Sequence, residues 1–301
     1  MNTLNESLSP LADASDTPGQ DFNQLEFFLL ESDSSCFTSV RGFRKTVYLH
    51  RTALLQNKTS KQFLVFTEVP LSNFYTLSSD DESRQRRLYY NVLTKTLIVK
   101  VLPHQAHEVA IRDFDKLVGR EITRLGLDDE VIPLGSATTT VGNWKKEADS
   151  NWVSITEHHN PKLVLEVGLS QSQRQLDLVS RGWLESSDSS VQIVISIAIY
   201  RDVPKIQINR WELVPNPNYS RATHSLSLIY SRTATKQISH AGNETVSTSG
   251  TSDLGLDFRK VTGRSQGPEA NFTLSEEGLR RFAERVWFVQ DFLRNLLEMG
   301  T

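Results

Sequence analysis

The segment KLVLEVGL, residues 162–169, constrains the fold more than any other. It is bounded by Pro161 and by polar residues, and it is apolar on both of its alternating faces, the pattern of a strand covered on both sides. A sheet built around such a strand is covered by helices, so the chain reads as α/β (α+β). One residue interrupts the run. Glu166 carries a charge that is costly to bury without a partner, so it calls for a ligand role or an ion pair. Upstream, KKEADSNW (145–152) places a second carboxylate, Asp149, at the start of another apparent strand.

The periodicities around these two acids define an order of elements. RLYYNVLTKTLIVKVLP (87–103) reads as a hairpin ending at Pro103. HEVAIRDFDKLVGREITRLGL (107–127) repeats its apolar residues at helical spacing, from Val109 and Phe114 to Ile122 and Leu125, and predicts an amphipathic helix stopped near Gly126. EVIPLGSATTTVGNWKKEADSNWVSI (130–155) reads as strand, Gly142-Asn143 turn, strand. Helical spacing returns in residues 172–186 through Leu176, Val179, Trp183 and Leu184. Residues 191–202 and 205–215 then read as strands, with 222–232 as a further candidate.

The flanks are less patterned. Residues 1–21 are polar and predict a disordered leader, and 22–86 an N-terminal α/β extension of mixed strand and short helix. Residues 87–215 form the expected core and 216–301 a C-terminal extension. Within the latter, the Ser, Thr and Gly of 239–270 predict a mobile loop. Residues 276–298 predict a helix with Ser275 as N-cap and Glu276 and Glu277 in its first turn.

Composition excludes several classes. With 301 residues and 38% hydrophobic content, the chain can bury a sizeable core. No apolar run is long enough to span a membrane, so no membrane partner is expected. The single cysteine, Cys36, excludes a disulfide framework and fits a reducing compartment. The leader lacks the basic and apolar regions of a signal peptide, so the expected location is intracellular, in cytoplasm or nucleus. A net charge of −3 exerts no global pull on nucleic acid, so such a partner would need a local basic face. No nucleophile elbow, P-loop, Rossmann fingerprint or zinc pattern occurs.

The ordered motifs "HE", GSATTTVGNWKKEADSNW, KLVLEVGLSQSQRQLDLVSRGWLES and the apolar strand after them resemble fungal proteins with a restriction-endonuclease-like, PD-(D/E)xK-type core. The resemblance covers roughly residues 87–202. It implies an αβββαβ core: helix 107–126, three strands over 130–169, helix 172–185 and strand 191–199. It also implies a metal-dependent nuclease, in which two carboxylates and a backbone carbonyl bind Mg²⁺ or Mn²⁺ and activate water for phosphodiester hydrolysis. By position Asp149 is the first acid, Glu166 the second, Val167 the carbonyl donor and Glu108 an auxiliary acid. The pattern departs at Gly168, where E-x-K requires a lysine. Lys146, Arg174 and Arg181 are the candidate replacements, although an arginine stays protonated and is a poor base.

Each residue also has a plainer reading. Asp149 could be an exposed acid at a strand edge, and Glu108 a carboxylate placed against a helix dipole. His107 could lie near Glu108, while the His158-His159 dipeptide does not converge on a metal. Ser170 and Ser172 read as helix caps. Asp177 and Arg181 read as an i,i+4 ion pair. Trp183, Trp211 and Trp287 read as core, and Trp144 and Trp152 as packing or base-stacking groups. Arg280, Arg281, Arg285 and Arg294 read as a solvated helix face. Two functions follow: a Mg²⁺- or Mn²⁺-dependent nuclease, or a catalytically silent nuclease-fold protein that binds nucleic acid or a protein partner.

Overall fold

The computed structural model describes residues 28–29, 32–80, 86–102, 105–155, 160–169, 173–186, 188–219, 227–240, 247–250, 253–264 and 271–292. The expected leader, His158-His159, Ser170, Ser172 and Arg294 lie outside them.

Two stacked sheets organise the chain. The first has the order β1-β2-β4-β3-β7-β6. Its strands are β1 (Asp33–Cys36), β2 (Phe63–Thr67), β3 (Arg86–Asn91), β4 (Thr96–Val101), β6 (Thr138–Val141) and β7 (Trp144–Glu147). Strand alternation divides its side chains cleanly. Leu64, Phe66, Leu88, Tyr90, Leu97 and Val99 point outward into a core with Phe43, Val47 and Leu54 of α1 (Val40–Leu55) and Phe74 and Leu77 of α2 (Leu71–Ser78). Phe63, Val65, Tyr89 and Ile98 point inward. Helix α1 is capped by the Ser39 hydroxyl, which accepts from the Gly42 N–H.

The second sheet has the order β13-β12-β11-β10-β9-β8-β5. It comprises β5 (Val131–Pro133), β8 (Ser150–Ser154), β9 (Pro161–Leu169), β10 (Ile193–Ile199), β11 (Lys205–Pro215), β12 (Leu228–Ser239) and β13 (Ser247–Gly250). Strand β9 runs parallel to β10 and antiparallel to β8. A parallel pair needs a crossover, and α4 (Gln173–Leu184) supplies it. One face of β9, through Leu163, Leu165, Val167 and Leu169, packs on α3 (Gln105–Arg124), which is in turn packed by α6 (Glu276–Val289). The other face meets α4 and the inner side of the first sheet through Val164, Val179, Trp183 and Val194. The strand is therefore covered on both sides, as its apolar run requires.

The αβββαβ order is present as α3, β5, β8, β9, α4, β10. The span 130–169 holds five strands rather than three, because the hairpin β6–β7 leaves the second sheet and pairs with β3. Its turn uses Gly142 in the left-handed region, at φ 54°. Helix α3 stops at Gly126, whose φ of 68° lets Leu127 N–H return to the Ile122 carbonyl.

Other boundaries move. The expected division at residue 86 falls inside one sheet, since β4 pairs with β2 and β3 with β4. The expected division at 216 separates β12 from β11, its neighbour along most of its length. The described part of 239–270 is not a loop: β13, β14 (Leu254–Leu256) and α5 (Phe258–Thr262) are regular elements. Leu254, Leu256, Phe258 and Val261 bury there against Phe272 and Leu274 of β15 (Phe272–Leu274), apolar pairing that outweighs the turn-forming composition around it. Of the expected helix 276–298, α6 spans Glu276–Val289, Asp291 after it is in a left-handed conformation, and 293–298 lie outside the described residues.

Candidate functional site

Chain direction and alternation together build the site. Strand β7 belongs to the first sheet and β8 to the second, so the chain crosses between sheets at Ala148 and Asp149. The crossing delivers the Asp149 carboxylate into the space between them. Glu166 enters the same space from β9, on the side occupied by Val164. From the first sheet come the inward residues of the β3–β4 hairpin, where Arg87 is paired with Lys100 and Tyr89 with Ile98.

Lys100 joins the two acids. Its ammonium donates to Asp149 Oδ2 at 2.6 Å and to Glu166 Oε2 at 2.8 Å, and all three side chains have zero exposure. Asp149 Oδ2 also accepts from the Val167 N–H at 2.7 Å and lies 3.3 Å from His107 Nε2, while Oδ1 lies 3.3 Å from Arg87 Nε. Glu166 Oε1 accepts from Trp183 Nε1 at 2.8 Å, and the Tyr89 hydroxyl spans both Glu166 oxygens at 3.2 and 3.1 Å. His107 Nε2 lies 3.0 Å from the Val167 carbonyl.

The electrostatics follow from these contacts. Burial opposes ionisation of Asp149, but the charges of Lys100, His107 and Arg87 outweigh it and hold the carboxyl well below its usual range. Burial disfavours the charged Lys100, yet Asp149 and Glu166 raise its amine above the ordinary value. His107 behaves alike, with burial lowering it and Asp149 raising it further. Glu166 is raised, chiefly by burial and also by its proximity to Asp149. The cluster is an ion network in which one carboxylate is held charged and the other resists ionisation.

The expected residues fall into three groups. Asp149 and Glu166 are brought together. Glu108, in the first turn of α3, is partly exposed and sits 3.8 Å from His107 Nδ1, one shell out from Asp149. The expected replacement cations are engaged elsewhere. Lys146 Nζ donates to the Gly182 carbonyl and the Ser186 hydroxyl and lies 5.3 Å above the rings of Trp144 and Trp183. Arg181 pairs with Glu185 at 2.6 Å, while Asp177 takes the Gln173 amide, so the anticipated Asp177–Arg181 pair gives way to these contacts. Arg174 is exposed on α4. The cation at the acids is Lys100.

Sequence reasoning missed Lys100, Arg87 and Tyr89. A signal existed: TLIVKV buries a lysine in an apolar strand just as LVLEVGL buries a glutamate, and each buried charge needs the other. Trp183 and Trp287 are core, as read, and Trp152 joins them at 1% exposure. The arginines of α6 are ion-paired: Arg280 and Arg281 with Glu277, and Arg285 with Asp113 of α3.

The donor set does not fit a divalent cation as it stands. Such a cation needs carboxylate and carbonyl oxygens free to approach at about 2.0–2.6 Å. Here Asp149 Oδ2 and the oxygens of Glu166 and Val167 are taken by Lys100, Tyr89, Trp183, His107 and a backbone N–H, and the buried Asp149 Oδ1, which accepts no hydrogen bond, faces the Arg87 guanidinium at 3.3 Å. Among the described residues no group of three or more His, Cys, Asp or Glu side chains is placed to hold a metal. Surface grooves lie elsewhere. One of about 580 Å³ runs beside α3 at Lys116, Arg120 and Pro133, and one of about 210 Å³ lies between Leu54, Arg201 and Gln290.

Beside the network, burial lifts the Glu147 carboxyl to about 7, against the opposing Leu88 N–H, and drops the Lys146 amine to about 7. For Glu147 the folded state holds a proton between its ordinary value of 4.5 and about 7, so stability falls as pH rises through that window. The resulting penalty, about 3 kcal/mol, persists above it. Glu147→Gln keeps an oxygen for the Leu88 N–H. Denaturant titrations should find the variant more stable than wild type above the window and equal to it below. An unchanged difference across pH would refute the assignment.

The second sheet is mixed and flanked by helices in αβββαβ order, the element order that the resemblance to restriction-endonuclease-like proteins implies, with Asp149 directly before its second strand and Glu166 on its third. No family model and no curated protein matches the chain. Among solved structures it is similar to one described as "a putative nuclease belonging to DUF820" from Anabaena variabilis, with a TM-score of 0.40 and 11% identity, covering 71% of this chain and 99% of that one. The described helices include none long and apolar enough to cross a membrane.

Proposed function

We propose that this is a catalytically silent PD-(D/E)xK-type protein that binds nucleic acid, with Lys100 standing where a nuclease would hold its metal. The observation that carries this reading is the Lys100 ammonium, fully buried between Asp149 and Glu166 and within hydrogen-bond distance of both. A positive charge already balances the acids. Metal entry would have to expel a lysine held by two charge-assisted bonds and strip a buried carboxylate of its Tyr89 and Trp183 donors, each worth about 1.5–3 kcal/mol.

Two measurements test this together. Calorimetric titration with Mg²⁺ and Mn²⁺ is expected to show no binding at the acids. Labelled single- and double-stranded DNA and RNA are expected to be bound and left intact with either ion present. Cleavage that requires Mn²⁺ or Mg²⁺ and disappears in Glu166→Gln would overturn the reading and make Lys100 the relocated lysine of an active nuclease. Absence of binding to every nucleic acid would overturn it as well.

A further inference from the structure

The chain is acidic overall, but residues 34–67 contain six Lys or Arg side chains and no Asp or Glu. Helix α1 carries four of the six: Arg41, Arg44, Lys45 and Arg51. Its apolar stripe of Phe43, Val47 and Leu54 is buried against the outer side of the first sheet. The opposite side therefore faces solvent. Arg44 is tied to Asp80 at 2.9 Å, whereas Arg41 and Lys45 are exposed and make no ion pair among the described residues. One turn on from Arg44 and Lys45 stands Tyr48, 67% exposed, with Leu49 beside it at 55%.

We infer that the outer face of α1 is a docking surface for single-stranded nucleic acid, with Arg41 and Lys45 on phosphates and Tyr48 as a stacking platform for a base. This deepens the nucleic-acid reading above and rests on it. The charge pattern selects a polyanion, since an acid-free helix in a net-negative chain concentrates positive potential on one side. The exposed aromatic selects a strand with unstacked bases, because a duplex offers no free π-face to a surface tyrosine. A lipid surface is a poorer fit: the helix has spent its apolar stripe on the protein core and retains too little to insert. The position is informative too. Helix α1 covers the outer side of the first sheet, whereas the acids lie on its inner side, so a strand held there is held away from Asp149 and Glu166.

The experiment is fluorescence anisotropy with fluorescein-labelled poly-dT and poly-U across a salt series, using the full chain. Wild type should bind with strong salt dependence. Arg41→Glu/Lys45→Glu should weaken binding by about tenfold or more and reduce the salt slope by roughly 1.4, two phosphate contacts at about 0.7 each. Tyr48→Ala should weaken single-strand binding and leave the salt slope unchanged. Both variants alter exposed side chains, and their melting transitions should match wild type. If wild type binds and the charge reversal changes nothing, this surface is wrong while the nucleic-acid reading stands. If wild type binds neither oligomer nor duplex, the functional reading itself falls. Binding to phosphatidylserine vesicles without binding to poly-dT or poly-U would also overturn the proposal.

Discussion

Replacing Lys100 by Met should cost about 3–5 kcal/mol of folding stability, the toll of removing one partner from a buried ion network. The side chain keeps all but its terminal atom in length and loses its charge, so packing between the sheets changes little. Two carboxylates are then left facing each other with zero exposure and no cation between them. The loss is a large fraction of the total for a domain of ordinary stability, about 5–15 kcal/mol. The pH dependence carries the signature. Without Lys100 the Glu166 carboxyl should rise further, and a raised acid contributes stability at low pH that is lost as pH climbs through its folded value. The variant should therefore lie closer to wild type in acid than at neutral pH. Adding Asp149→Asn and Glu166→Gln removes the charges that Lys100 neutralised, and the triple variant should recover most of the loss. Equilibrium denaturation of the three proteins decides the matter. A Lys100→Met protein as stable as wild type at neutral pH would mean that the ammonium is not what balances the acids.

Truncating Trp183 to Ala should cost about 3–5 kcal/mol, by emptying a large volume in the core between the sheets. Trp183 has zero exposure, packs in the cluster with Val164, Val179 and Val194, donates to Glu166 and lies beneath the Lys146 ammonium. Trp183→Phe separates volume from hydrogen bond. It retains most of the apolar bulk but strips one donor from a buried carboxylate, and should cost about 1–3 kcal/mol. If the two substitutions cost the same, the indole N–H rather than the volume dominates. If Phe costs nothing, the Glu166 contact is dispensable.

Much of the local architecture was legible because it depends on near neighbours. The 87–103 hairpin, the amphipathic helix ending at Gly126, the Gly142 turn and the 205–215 strand correspond to β3–β4, α3, β6–β7 and β11. Where expectation failed, a tertiary contact had overruled composition. LGLDF within a Ser/Thr/Gly-rich stretch became β14 and α5 because β15 offered an apolar partner. The hairpin β6–β7 left the core sheet because β3 offered it an edge.

At the acid pair the same division holds. The amino-acid sequence alone established that β9 is buried on both faces and that Glu166 within it requires a partner, since alternation and desolvation cost are properties of the strand itself. Read with the resemblance, it also marked Asp149 as the first acid, Glu166 as the second and Gly168 as the place without a lysine. It did not determine which cation would meet them. Lys100 lies 66 residues from Glu166, on a strand of the other sheet, and only the stacking of the two sheets brings the β4 lysine over β9. Periodicity reports which face a side chain takes, whereas the element opposite that face is chosen by packing across the whole chain.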